Sequence, residues 1–346
     1  MGKWIPVLIL AVAVVAFFVT SGGTERKILR IYNWADYVSP EVVSAFEKEF
    51  GCQVVIDTFD SNEAMLAKLK AGATGYDIVI PTEYAVNIMI DDKMAMKLDH
   101  AKLPNLRHMD AEYVKLMRDK TLDYSVPYMV SITGIGYNPK KVPDFKPSWT
   151  VFANPACKGR MTMLNDMREC IGAALKVMGK SLNTTNEQDL AAAQQLLIGC
   201  KKNLAKFDVD EAKRGLVTGE FFVVHGYNGD LLQIIEEAPE IAFAVPEEGT
   251  SIAIDCMVIP TGAKNVDLAH AFINYIHEPK NCAMTMEKVC FASPNTEAVK
   301  LLPQEFRTNK AIFLDKAVLA KCELIEDLGA ENAKYTKVWD AVKSAE

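Results

Sequence analysis

The sequence predicts an α/β protein of two units, and three observations carry that reading. Residues 28–81 alternate strand, helix, strand, helix and strand within about 55 residues, the pattern of a parallel sheet covered by helices. The same alternation returns between residues 160 and 277. The chain has 346 residues, about two domains at roughly 150 residues each.

The elements read in order. Ile28–Trp34 is a short apolar run suited to a buried strand. Ser39-Pro40-Glu41 is a helix start, with a cap, a proline in the first turn and an acid near the positive end. Val42, Val43 and Phe46 give that helix an apolar stripe, and Gly51 stops it. Cys52–Phe59 returns as a strand. Asp60-Ser61-Asn62-Glu63 opens the next helix, with Glu63 three residues after Asp60 as in a capping box. Met65, Leu66 and Leu69 form its apolar face, Gly72 ends it, and Tyr76–Pro81 is a third strand. In the second unit Arg160–Leu164, Phe221–His225, Ile241–Val245 and Ile252–Pro260 read as strands. Helices follow at about 165–179, 187–200, Asn228–Glu237 and Val266–His277; in the last, Leu268, Phe272 and Ile276 recur every four residues. Segments near 131–137 and 253–260 are candidate crossovers between the units, and most of 100–123 and 139–159 reads as connection.

Composition narrows the class. Half of the residues are hydrophobic and 24% are charged, which excludes a disordered chain, collagen and a coiled coil. The balance of 38 Lys+Arg against 45 Asp+Glu gives a net charge of −7, which argues against nucleic acid as a partner. Residues 1–23 read as a secretory signal: Lys3, an apolar run from Ile5 to Val19, then Thr20, Ser21, Gly22 and Gly23. The run is short of the roughly 20 residues of a membrane span; an uncleaved anchor is the alternative. No Cys follows it to carry a lipid. The eight cysteines show no CxxC pair and read mainly as small buried residues, and the five His have no metal-ligand spacing. No metal or cofactor is expected.

Enzyme motifs are mostly missing. GxSxG, HExxH and GxGxxG are absent, and Gly179-Lys180-Ser181 fails as a phosphate loop because Ala174 stands where its first glycine belongs. Asp166 and Glu169 form a carboxylate pair at i, i+3, suited equally to acid/base work, cation binding or helix capping.

Ligands of open α/β sheets bind outside the carboxyl ends of the strands. Trp34, Asp36 and Tyr37 stand there after the first strand, and Thr82, Glu83 and Tyr84 after the third. In the second unit come Asp166 and Glu169, then Tyr227 and Asp230, then Asp255. Arg168 is the exception in a set otherwise made of aromatics and acids. Such a set suits an ammonium ligand: carboxylates pair with the charge, and each ring face adds about 0.5–2 kcal/mol. Glu83 and Asp230 read most simply as solvated helix acids. Asp255 interrupts two apolar triplets, and a buried carboxylate needs a partner.

These residues carry a resemblance. Tyr32-Asn33-Trp34-Ala35-Asp36-Tyr37, Asp60-Ser61-Asn62-Glu63 and Tyr76-Asp77-Ile78-Val79-Ile80-Pro81 resemble segments of the bacterial spermidine/putrescine-binding proteins. So do Thr133–Asn138, Gly226-Tyr227-Asn228-Gly229-Asp230, Pro246–Gly249 leading to Asp255, and Ser293-Pro294-Asn295. The matches run in order over nearly the whole chain after residue 28. The resemblance implies the two-lobed periplasmic-binding-protein fold of type II, with lobe one at 28–132 plus 257–318 and lobe two at 133–256 plus 319–346. Each lobe would be a mainly parallel sheet flanked by helices, with the ligand cleft between them. It implies ligand-binding roles for Trp34, Asp36, Tyr37, Thr82, Tyr84, Asp166, Glu169, Tyr227, Asp230, Asp255 and Phe291, and no catalytic residue. Three positions depart from the family: Ala253 replaces an aromatic, Phe291 a tyrosine and Ile325 a glutamine.

The implied protein is a monomeric extracytoplasmic receptor for putrescine or spermidine. It would close about a hinge and hand its ligand to a membrane permease and cytoplasmic ATPase of an ABC importer. A receptor for another small cationic or polar solute and a secreted enzyme using Asp166 and Glu169 are the alternatives.

Overall fold

The computed structural model describes residues 26–73 and 75–345; the signal segment at 1–23 lies outside them. Strand β1 (Ile28–Asn33) lies between β2 (Gln53–Thr58) and β3 (Ile78–Val79), parallel to both. Helix α1 (Pro40–Phe50) starts and stops as its sequence predicts. Ser39 Oγ accepts from the Val42 N–H at 3.3 Å, Pro40 begins the helix, and Gly51 takes φ +61° at its end. Helix α2 (Asn62–Lys70) differs from expectation in its cap. Ser61, not Asp60, accepts from the Ala64 N–H, so Glu63 is released from capping. Helix α3 (Glu83–Asp91) follows β3, and α4 (Ala111–Leu116) interrupts the long connection.

Strand β4 (Val126–Tyr137) is the organising element of the second sheet. At 12 residues it spans about 40 Å. Its first half joins the core of β1, α1 and β3 through Val126, Tyr128 and Met129; Ile135, near its end, belongs to a separate core. The strands after it are β5 (Met161–Met163), β6 (Lys206–Phe207), β7 (Val223–Tyr227), β8 (Ala242–Ala244), β9 (Ser251–Met257) and β10 (Glu323–Leu324). They assemble in the order β10-β9-β4-β7-β5-β6, with β8 also on β4. The outer pairs β10/β9, β5/β7 and β5/β6 are parallel, whereas β4 runs antiparallel to β7, β8 and β9. The second sheet is therefore mixed, because the long strand returns against its neighbours.

Helices α5 (Met167–Val177), α6 (Glu187–Lys201), α7 (Asp210–Thr218) and α8 (Asn228–Glu237) cover the second sheet. Next come α9 (Val266–Ile276), α10 (Pro279–Val289), α11 (Thr296–Leu301), α12 (Gln304–Arg307) and α13 (Lys316–Leu319). The last helix, α14 (Asn332–Ser344), packs Tyr335, Val338, Trp339 and Val342 against the core of α5 and α6. All eight cysteines are free thiols, seven of them buried. No described helix is long and apolar enough to cross a membrane.

Candidate functional site

A cleft lies between residues of the β1–β3 sheet and residues of α5, α7, α8 and β9, and Asp255 stands in its wall. Asp255 is 5% exposed. The Tyr37 hydroxyl donates to Oδ2 at 2.6 Å and the Thr82 hydroxyl to Oδ1 at 2.7 Å. Thr82 stands at the N-cap of α3 but makes no cap bond with its side chain. Asn62 holds it instead, accepting from its N–H at 3.0 Å and donating to its hydroxyl at 3.1 Å. The hydroxyl proton is thereby aimed at Asp255. Tyr37 is fixed by Tyr128, whose hydroxyl donates to its carbonyl, and by the Phe291 ring 5.0 Å away. Burial pushes the Asp255 carboxyl up to about 6, against the two hydroxyl bonds, which lower it. Each carboxylate oxygen keeps a further lone pair for a ligand.

Asp166 and Glu169 form a second group. Asp166 is the N-cap of α5: its Oδ1 accepts from the Arg168 and Glu169 N–H groups at 2.9 and 3.0 Å, leaving Oδ2 outside the cap. Glu169 Oε2 accepts from Ser251 at 2.5 Å and Thr133 at 2.9 Å. Glu63, released from capping α2, accepts from the Tyr84 hydroxyl at 3.1 Å. Burial raises all three carboxyls; the charge of Asp166 raises Glu63 and Glu169 further. Arg168 partly offsets them. Its guanidinium lies over the Tyr84 and Tyr335 rings and donates to Glu326 O and Asn183 Oδ1. Three carboxyl groups thus share a single guanidinium.

Ten of the eleven predicted residues line the cleft: Trp34, Tyr37, Thr82, Tyr84, Asp166, Glu169, Tyr227, Asp230, Asp255 and Phe291. Ala253 and Ile325, two of the departures, line it as well. Asp36 does not. Its side chain is 67% exposed at the margin, where it bonds Lys213. Glu83 is neither solvated nor in the cleft: it is 4% exposed and accepts from the Arg118 N–H and Asn87 Nδ2. Sequence reasoning missed Lys213, so the cleft holds a second cation besides Arg168. A lysine in the polar stretch of α7 carries no signal separating it from a solvated helix charge. Phe59 was also missed; its ring packs on Trp34 with centroids 4.4 Å apart. Among the described residues no cluster of metal ligands occurs.

Comparisons with known proteins agree with this architecture. Residues 41–313 match the family described as bacterial extracellular solute-binding protein. The chain is 34% identical over 335 residues to the putrescine/cadaverine-binding protein of Pseudomonas aeruginosa, covering 93% of this chain and 95% of that one. It is 33% identical over 364 residues to the putrescine-binding periplasmic protein PotF of Escherichia coli, covering 99% and 98%. A putative spermidine/putrescine ABC transporter structure from Listeria monocytogenes superposes with a TM-score of 0.88 at 35% identity, covering 92% of this chain and all of that one. The fold is thus the two-lobed periplasmic-binding-protein fold. A helix cap, two hydroxyls of the first sheet's side and a crossing strand set the second sheet's carboxylates in one cleft, in a chain that belongs to the bacterial extracellular solute-binding protein family.

Proposed function

We propose that this protein is an extracytoplasmic polyamine receptor that captures putrescine or spermidine by lobe closure and delivers it to an ABC import permease. It is a binding protein and not an enzyme, as its family membership states. The observation that carries the reading is Asp255: a buried carboxylate held only by hydroxyls, in a cleft walled by rings and further acids. Asp255 binds one ammonium, and Asp166 with Glu169 binds another. Trp34, Tyr37, Tyr84, Tyr227 and Phe291 cover the methylenes between, each buried CH₂ contributing about 0.8 kcal/mol. Trp34, Tyr37 and Tyr84 come from the first sheet's side of the cleft and Asp166, Glu169 and Tyr227 from the second's, so a ligand that touches both favours their closed arrangement.

We divide the lobes at 28–132 plus 257–318 and 133–256 plus 319–346. The change of core along β4 and the packing of α14 on α5 and α6 support this division. The permease and its ATPase are the expected partners, and the receptor acts as a monomer. Export rests on residues 1–23; mass spectrometry of the exported protein reports whether they are removed or kept as a tether.

Titration calorimetry of residues 24–346 tests the function, after unfolding and refolding to strip bound ligand. Putrescine, cadaverine, spermidine and spermine are the probes. One-to-one binding at micromolar Kd or tighter, about −8 kcal/mol or better, is the expected outcome. Folded protein that takes up none of them rejects the polyamine reading.

A further inference from the structure

Lys213 is a cation that the chain itself inserts into the cleft margin. It projects from α7, its side chain is 17% exposed, and its Nζ lies 3.0 Å from Asp36 Oδ2 and 3.3 Å from Asp230 Oδ1. Asp36 follows β1 of the first sheet, and Asp230 stands in the first turn of α8 on the second, so one ammonium joins residues of the two sheets. Burial works to lower the Lys213 pKa, but Asp230 and Asp36 outweigh it and hold the pKa above its usual value. The group stays charged. Asp210, also in the cleft wall, adds a third carboxylate facing the same lysine.

A ligand amine and Lys213 compete for the same oxygens. An incoming ammonium gains a carboxylate pair only by displacing the lysine, which then stands as an unpaired charge in a largely buried position. Among the described residues no other lysine lines the cleft: Asp255 meets only hydroxyls, and Asp166 and Glu169 share Arg168.

We propose that Lys213 is a specificity-determining residue, a tethered ammonium that removes Asp36 and Asp230 as an amine subsite and thereby selects short diamines over longer polyamines. The inference rests on the polyamine reading above. A diamine places both charges on Asp255 and the Asp166/Glu169 group, while the further amine of a triamine meets the positive charge of Lys213.

The test is calorimetry of the stripped wild type, Lys213→Met and Lys213→Arg with putrescine, cadaverine, spermidine and spermine. Methionine keeps the apolar stem without the charge, and arginine keeps the charge. The wild type is expected to bind a diamine at least tenfold tighter than spermidine. Lys213→Met is expected to lower that ratio by tenfold or more, and Lys213→Arg to retain it. Circular dichroism establishes that each variant is folded. If the proteins bind polyamines but the ratio is the same in wild type and Lys213→Met, the role of Lys213 is overturned and the receptor reading stands. A wild type that prefers spermidine overturns it equally. If folded proteins bind no polyamine, the receptor reading itself fails and takes the inference with it.

Discussion

Two buried aspartates of this molecule are spent in opposite ways. Asp77, 1% exposed just before β3, accepts from the backbone N–H groups of Arg30, Lys264 and Asn265 and from the Asn265 side chain, at 2.8–3.2 Å. It ties β1 and β3 to the start of α9, and its lone pairs are filled by fixed backbone donors. Asp255, 5% exposed in the cleft, has two hydroxyl donors and no backbone N–H partner among the described residues. The first arrangement satisfies a charge internally; the second leaves a charge short of donors, which burial penalises and a cation relieves. Burial alone therefore does not mark a functional acid. The number and rigidity of its donors do.

The contrast breaks most sharply at Asp255. Asp255→Asn keeps the shape and removes the charge, and polyamine affinity is expected to fall tenfold or more in calorimetry while the melting temperature is retained. An unchanged Kd takes Asp255 out of the site. Asp77→Ala should do the reverse. Removing the charged acceptor of three part-buried backbone N–H groups, at about 1.5–3 kcal/mol each at most, is expected to cost roughly 3 kcal/mol of unfolding free energy in urea. The fraction that remains folded should bind polyamine within threefold of wild type. Loss of binding with full stability would erase the distinction.

A pH series sharpens it. The Asp255 carboxyl is raised from 3.8 to about 6, so the folded protein holds a proton that the unfolded chain has released. Its contribution to ligand-free stability falls as pH rises from 3.8 to about 6, then levels off. Binding runs the other way, because the cation needs the ionised form. Kd is expected to tighten as pH rises through about 6, by at most about tenfold per unit for this one proton. The part of that slope owed to Asp255 disappears in Asp255→Asn. The smallest effect concerns a donor. Tyr37→Phe removes a bond that lowers the Asp255 pKa, so the midpoint of the pH dependence should move upward. With a hydrogen bond to a charged group worth about 1.5–3 kcal/mol, the shift should be about one to two units. A midpoint that stays put would show that Tyr37 acts on the carboxylate only as a wall.

How much of this was legible varies by residue. Asp255 was legible because a carboxylate breaks an apolar run, and Ser39-Pro40 with Gly51 because cap chemistry is local. Helix α14, with its stripe of Tyr335, Val338, Trp339 and Val342, was missed because it falls outside the elements the alternation pattern picks out. The Asp60 cap failed because Ser61, one position on, makes the bond with the Ala64 N–H. Glu83 was misread because its partners, Asn87 and the Arg118 N–H, include one 35 residues away.

The sequence by itself determined the alternating elements of residues 28–81, the cap of α1, the α/β class and the acids and rings at strand ends. These depend on periodicity and on interactions within a few residues. Only the tertiary structure decided which charges meet. Asp36, Lys213 and Asp230 lie 177 and 17 residues apart along the chain, and Tyr37 lies 218 from Asp255. A charge is available to a ligand or already neutralised according to its neighbours within a few ångströms. Those neighbours come together only when the two sheets face each other across the cleft.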